Sequence, residues 1–268
     1  MTGSGALACA ASHSFDIARQ GYVSLLDGRS SGLRSDTADM VAARRRVHGA
    51  GIFGPVQTAI CTVISESVAR SGVGGTGTIL DAGAGTGDYL AAVLRAVPTA
   101  RGIGIDLSKY CARAISRSNE RAAAVVADIW RDIPIVDDGV DVVCSVFSPR
   151  NLGEFARILA PGGLIVAVTP QPGHLAEIGA PMGMLGIDAG KDDRLRDDLS
   201  NHAEVVEQRP IEYRVELDAQ QVCDIVAMGP NAFHQSQVQI AGRAEELAAR
   251  SGGVVSVTIS VSLTLARR

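Results

Sequence analysis

A chain of 268 residues that is 46% hydrophobic and 20% charged can bury one substantial core with a small appendage beside it. Its 30 glycines and 10 prolines are scattered among apolar runs, which excludes collagen-like, low-complexity and solenoid architectures. A formal net charge of -4 supplies no global attraction to nucleic acid, so any RNA partner has to be held by a local basic surface.

The cysteines at 9, 61, 111, 144 and 223 form no disulfide framework and point to a reducing compartment. Residues 1–14 carry neither a basic leader nor a long apolar stretch, and no run of about 18 apolar residues follows. A cytoplasmic chain without a membrane span is therefore expected.

Residues 1–35 lack periodic pattern, with Phe15, Tyr22, Leu25 and Leu26 as anchors, and read as a small N-terminal extension. Arg44-Arg45-Arg46, with Arg29 and Arg34 upstream, is the one basic cluster, on a helix expected from residue 35 or 36 to 47. A second helix is expected over 55–69, with Pro55 in its first turn. After a flexible connection at 71–75 the pattern alternates. Strands are expected at 78–81, 101–106, 123–127, 140–147 and 164–169, and helices at 87–97, 108–119 and 151–159.

Such alternation predicts an α/β fold: a doubly wound, mainly parallel sheet built from right-handed crossovers, with ligands beyond the carboxyl ends of its strands. Pro161-Gly162-Gly163 reads as the turn that launches a strand. Residues 175–202, rich in Gly and Pro and carrying Lys191-Asp192-Asp193-Arg194, read as a lid or insertion. The last third predicts a strand at 205–217, a helix at 219–228 and a half-buried antiparallel strand at 253–265.

The densest chemistry lies in Thr78-Ile79-Leu80-Asp81-Ala82-Gly83-Ala84-Gly85-Thr86-Gly87-Asp88, a buried strand running through alternate glycines into a helix. Gly83, Gly85 and Gly87 would let backbone amides approach a nucleotide-like ligand at a helix N-terminus. Asp88 stands where the dinucleotide fingerprint has its third glycine, which argues against a nicotinamide site. Asp106 ends the next strand, where a carboxylate can accept from ribose hydroxyls. Asp128 follows a third strand, placed to meet an adenine amino group while Ile129 packs on the ring. Asp81 either braces the loop or meets a ligand amino group. These acids at successive strand ends make an S-adenosylmethionine-dependent methyltransferase site the best reading. Ser148-Pro149-Arg150 ends the fourth strand on the same crevice and is the expected substrate contact.

Specific segments add to this. Cys9-x3-His13-Ser14-Phe15-Asp16-Ile17-Ala18-Arg19-Gln20-Gly21-Tyr22-Val23, Gly104-Ile105-Asp106-Leu107-Ser108-Lys109, Phe147-Ser148-Pro149 and Thr169-Pro170-Gln171-Pro172-Gly173-His174-Leu175 resemble the bacterial 23S ribosomal RNA (guanine-N1)-methyltransferases over nearly the full length. That family includes enzymes conferring resistance to tylosin-like macrolides.

The resemblance implies a class I, Rossmann-like methyltransferase fold over 36–268, with a degenerate zinc-module-like segment at 1–35. It implies cofactor contacts at Gly83, Gly85, Gly87, Asp88, Asp106 and Asp128, with His174 near the methionine end and Phe53 in a position where members carry Tyr. It implies 23S rRNA as partner, phosphate contacts at Arg19, Arg44, Arg45 and Arg46, and a homodimer. The sequence does not identify the acceptor of the guanine N1 proton; His174 is one candidate and Asp128 a weaker one, its expected task being adenine recognition. The family's zinc module needs four ligands and only Cys9 and His13 stand here, so no zinc is expected in this chain. Two other readings stay open on sequence: a small-molecule methyltransferase on the same sheet, and a non-catalytic paralogue that binds cofactor or RNA.

Overall fold

The computed structural model describes residues 5–9, 12–26, 34–70, 77–184, 186 and 191–268, so Arg29 and the connection at 71–75 lie outside the described residues. Strands β1 (Ala6–Ala8) and β2 (Ser14–Asp16) pair antiparallel, and β3 (Tyr22–Ser24) follows. Helices α1 (Ala38–Gly49) and α2 (Gly54–Arg70) lead into β4 (Thr78–Ala82), α3 (Asp88–Ala96), β5 (Arg101–Asp106), α4 (Lys109–Ser118) and β6 (Ala122–Val126). Next come β7 (Val140–Val146), α5 (Leu152–Ile158), β8 (Leu159–Pro170), α6 (Ala176–Gly179) and α7 (Lys191–Ser200). The chain closes with β9 (Glu204–Leu217), α8 (Ala219–Ala227), α9 (Gln237–Arg250) and β10 (Val255–Arg267).

The main sheet has the order β3-β6-β5-β4-β7-β8-β10-β9. Pairs from β3 to β8 are parallel, and β10 is antiparallel to both neighbours. Strand periodicity sends alternate residues to opposite faces. Val142, Cys144 and Val146 of β7, with Leu164, Val166 and Val168 of β8, join one core with α2, α3, α8 and α9. Val143, Ile165 and Ala167 join the other, with Phe155 and Ile158 of α5 and Leu195 and Leu199 of α7. Covered on both faces, these strands read as continuous apolar runs because no face meets water. No single helix among the described residues is long and apolar enough to cross a membrane.

Several expectations need correction. The boundary at residue 35 does not set the first segment apart from the sheet, because β3 is its edge strand, parallel to β6, with Val23 buried. Three residues are too few to show a period. Pro161-Gly162-Gly163 lies inside β8 rather than ahead of it. Gly162 takes φ +76°, and the pairing of β7 with β8 shifts register between Val140 and Val142, so the glycines serve an irregularity within the strand.

The expected half-buried strand, β10, is covered on both faces, with Ser260, Ser262 and Thr264 buried. Part of that polar face is satisfied across the sheet: the Ser260 hydroxyl donates to Glu212 and Gln208 donates to Ser262. Within 175–202 the described ends are packed, with Leu175, Ile178 and Met182 buried on one side and Leu195 and Leu199 on the other. Helix α9 went unread because its buried stripe, Ile240, Ala244 and Ala248, is mostly alanine. Its one clear signal is the capping box of Ser236 and Gln239.

Candidate functional site

The loop after β4 turns in left-handed conformations, Gly83 at φ +77° and Gly85 at φ +55°, which side chains rarely adopt. A Cβ on Gly83 would lie 2.6 Å from that of Ser148, and one on Gly85 would lie 2.6 Å from an Arg44 guanidinium nitrogen. The loop's amides are engaged within the protein: Gly83 and Ala84 donate to the Ile105 carbonyl, Gly87 to that of Ala84, and Gly85 to the Asp106 carboxylate at 2.9 Å. The loop therefore offers close approach of its Cα surface rather than the free amides expected at these glycines. Gly87, at φ +79°, is the N-cap of α3 and lies away from the cavity this loop borders.

That cavity, about 610 Å³, is enclosed by α1, the glycine loop, the ends of β7 and β8, and the segment after α8. Asp81 and Tyr89 line it, and Asp81 Oδ2 and the Tyr89 hydroxyl are buried with no hydrogen-bond partner. Burial, reinforced by the charge of Asp106, raises the Asp81 carboxyl to about 7. Burial also raises the Tyr89 phenol and lowers His48, which meets the Tyr89 ring edge-on at 5.1 Å. Sequence reasoning passed over His48, yet it stands four residues after Arg44 on α1, one turn along the same face, and both line the cavity.

An aromatic wall continues from His48, whose ring lies 6.1 Å from that of Phe53. Phe147 stacks on His174 at 5.7 Å, and Phe53 is 5.6 Å from Phe147. Phe147 holds φ +53°, a strained conformation for an aromatic residue, with its amide tied to the Val168 carbonyl. His174 Nδ1 accepts the Ser260 amide at 3.3 Å, so the neutral ring carries its proton on Nε2. Burial holds its pKa down at about 4. At neutral pH the ring is thus neutral, a donor from Nε2 and only a weak base.

The other acids are placed differently from one another. Asp106 accepts from the amides of Gly85 and Ser108, and burial lifts it to about 6. Asp88 receives the Thr86 hydroxyl at 2.5 Å and faces a separate groove on the far side of the loop. Asp128 accepts the Trp130 amide at 3.0 Å and pairs with Arg131 at 3.7 Å. Ile129, expected on a ligand ring, is instead packed in the core with Ala127 and Ile133, while Trp130 beside it is 55% exposed.

Ser148, Pro149 and Arg150 line a second cavity of about 780 Å³, which shares Phe147 and Pro170 with the first. Ser148 donates to the Ala82 carbonyl at 2.6 Å, tying this corner to the glycine strand.

Of the arginines expected at phosphates, Arg44 pairs with Asp36 at 2.8 Å and donates to the Met228 carbonyl, lining the first cavity. Arg46 grips Asp224 with two bonds of 2.8 and 2.6 Å, which corrects its reading as a phosphate contact: it fastens α1 to α8. Arg45 and Arg19 are exposed.

Cys9 Sγ and His13 Nδ1 lie 3.4 Å apart at the ends of the β1 and β2 pair. Among the described residues no group of three or more His, Cys, Asp or Glu side chains could hold a metal ion. Two donors do not make the four-ligand site that structural zinc takes.

Comparison with known proteins places this geometry. Residues 79–163 match the family model described as Methyltransferase domain, and residues 2–29 match the zinc-ribbon model described as RlmA, N-terminal. A Micromonospora griseorubida chain, proposed as a 23S rRNA (guanine-N(1)-)-methyltransferase, is 41% identical over 98% of this chain and 90% of its own length. The Streptomyces fradiae 23S rRNA (guanine(748)-N(1))-methyltransferase is 39% identical over 97% of this chain and 90% of its own. Among solved structures, the proposed methyltransferase in complex with the Haloferax volcanii Trm112 methyltransferase activator superposes with a TM-score of 0.53. It is 21% identical and covers 88% of this chain and 99% of that one, a likeness in fold.

Proposed function

The chain belongs to the 23S rRNA (guanine-N1)-methyltransferase family, and from that we propose that it methylates N1 of a guanine in 23S rRNA, in the cytoplasm, with S-adenosylmethionine as donor. The observation that carries the reading is the pairing of near full-length similarity with a cavity that fits the donor. In it, Asp81 and Tyr89 keep buried polar atoms unpartnered, and Gly83 and Gly85 clear space that a side chain would fill. When bound, the donor supplies a sulfonium methyl group.

The chain's own residues supply position. Asp81 Oδ2 can accept from an ammonium and the Tyr89 hydroxyl can donate to a carboxylate, so the two are assigned to the amino-acid end of the donor. Asp106, whose oxygens each hold one backbone amide, keeps lone pairs free for ribose hydroxyls. Phe147 stands where the two cavities meet, and its ring with His174 and Phe53 forms the wall against which an unpaired base can lie flat. An in-line displacement needs the nitrogen about 3–3.5 Å from the methyl carbon, so fixing these planes is the main catalytic contribution. As the N1–methyl bond forms, the sulfonium C–S bond breaks with its electron pair left on sulfur and the N1 proton is lost to solvent water; His174, neutral at physiological pH with Nδ1 on the Ser260 amide, presents an Nε2–H and is a weak acceptor for it.

Incubating the full chain with labelled donor, 23S transcript and a metabolite extract tests the reading. Label in RNA, recovered as 1-methylguanosine, is expected. Label confined to metabolites would overturn it.

A further inference from the structure

A groove between α1, α3 and α4 takes no part in the site described above. Arg45 of α1, Arg95 of α3, and Arg113 and Arg117 of α4 line it, together with Tyr110. All four arginines are exposed, and among the described residues none makes an ion pair or side-chain hydrogen bond. Contrast the arginines around them, where Arg44 and Arg46 are each spent on an aspartate. One carboxylate, Asp88, lines the groove, and it already receives the Thr86 hydroxyl.

In an acidic chain such unpaired cations are held apart by mutual repulsion, so their concentration on one face calls for a polyanion. We infer that this groove is the track for the phosphodiester backbone of the RNA substrate, leading it to the glycine loop from the side opposite the cofactor cavity. The inference rests on the RNA reading proposed above.

Three features favour a strand of nucleic acid over a free phosphate. Arg113 and Arg117 stand one turn apart on α4, about 6 Å along the helix. Arg45 and Arg95 line the same groove from two other helices, so the cations are spread over three elements rather than gathered at one helix end. Tyr110, 38% exposed with the Lys109 ammonium 5.4 Å from its ring, offers a flat aromatic face and a cation at the same spot, which suits a stacked base beside its phosphate. The groove reaches Thr86, directly after Gly85, and Asp88, so a backbone lying in it passes within reach of the loop that borders the cofactor cavity.

The test replaces Arg45, Arg113 and Arg117 by Gln together in the full chain. It reads binding to unmodified 23S transcript across a salt series, and binding of S-adenosylhomocysteine by calorimetry. The inference predicts a loss of RNA affinity of about tenfold or more, and a fall of about 2 in the slope of log affinity against log salt, as three lost phosphate contacts on single-stranded RNA require. Homocysteine-product binding should be unchanged, and Arg250→Gln on α9 should leave RNA binding as it was.

Wild-type protein that binds RNA, with a triple variant that keeps the same affinity and slope, would overturn the groove while leaving the RNA reading intact. Wild-type protein that takes up S-adenosylhomocysteine yet binds no ribosomal RNA would overturn both. Should the triple change lower the melting temperature, the exposed single change Arg117→Glu carries the same test, with a smaller loss expected and no loss contradicting the groove.

Discussion

Single residues decide whether the cavity is a cofactor site. A valine at Gly85 would have to adopt φ +55°, at roughly 1–2 kcal/mol for the left-handed backbone, and would push aside the Arg44 guanidinium. Because that neighbour is the mobile end of a long side chain, the fold survives while the close approach is lost. Gly85→Val is therefore expected to keep its circular dichroism and melting cooperativity but to bind S-adenosylhomocysteine at least tenfold more weakly by calorimetry.

Asp81 carries a second test. Its carboxyl is raised to about 7, above the unfolded value, so the folded state holds its proton more tightly. Stability from this group is fully present at low pH and is lost as pH rises from near 4 through 7, by at most about 4 kcal/mol. Asp81→Asn should flatten that decline in the ligand-free protein, as read by melting temperature against pH. An ammonium ligand favours the ionised form, so wild-type affinity for S-adenosylhomocysteine should rise between pH 6 and 8 and that of Asp81→Asn should not.

His174 runs the other way. With its pKa held down at about 4, stability it withholds in acid is restored as pH rises from 4 through its unfolded value near 6.5. Nitrogen NMR should find a neutral Nε2–H ring throughout pH 6 to 8, and a ring that protonates there would refute the assignment.

At the scale of elements, the attachment of α1 to α8 is the joint that shapes the cavity, since α1 presents Arg44 and His48 to it. Arg46 holds Asp224, a nearly buried carboxylate, with two bonds, and is itself half exposed. Arg46→Ala should cost about 1–2 kcal/mol in denaturant melts, because the aspartate stays behind with only Gln220. It should weaken RNA binding less than a change at Arg45 does. A large loss of RNA affinity with unchanged stability would restore Arg46 as a phosphate contact.

The arginine triplet shows where sequence stops informing. Neighbours on a helix point in different directions, so three identical residues reach three destinations: the cavity, the groove and a buried aspartate. Periodicity alone located the helix. The partners, 178 residues away in the case of Asp224, could come only from the fold.

Across the whole molecule, the alternation of apolar runs and glycine turns was enough to read the parallel strands β4 to β8 and the antiparallel close, because β4, β7 and β8 contribute apolar residues to both cores. What stayed hidden depended on contacts rather than pattern. β3 is three residues long, α9 buries mostly alanine, and the polar face of β10 is covered although its alternation resembles a wetted one.

The glycine loop stood out because strand, glycines and helix are contiguous in sequence. The aromatic wall of Phe53, Phe147 and His174 did not, being assembled from the α1–α2 connection, the end of β7 and the segment after β8. Its members became visible only through short motifs whose geometry the sequence leaves unstated.

A methyl group on N1 of a guanine in 23S rRNA blocks base pairing at that position. Primer extension on ribosomal RNA from cells carrying this gene, the Gly85→Val form, or neither tests for it most directly. A strong stop at one guanine of 23S rRNA is expected with the wild-type gene alone. Identical extension patterns in all three, from cells that demonstrably contain the folded protein, would contradict it.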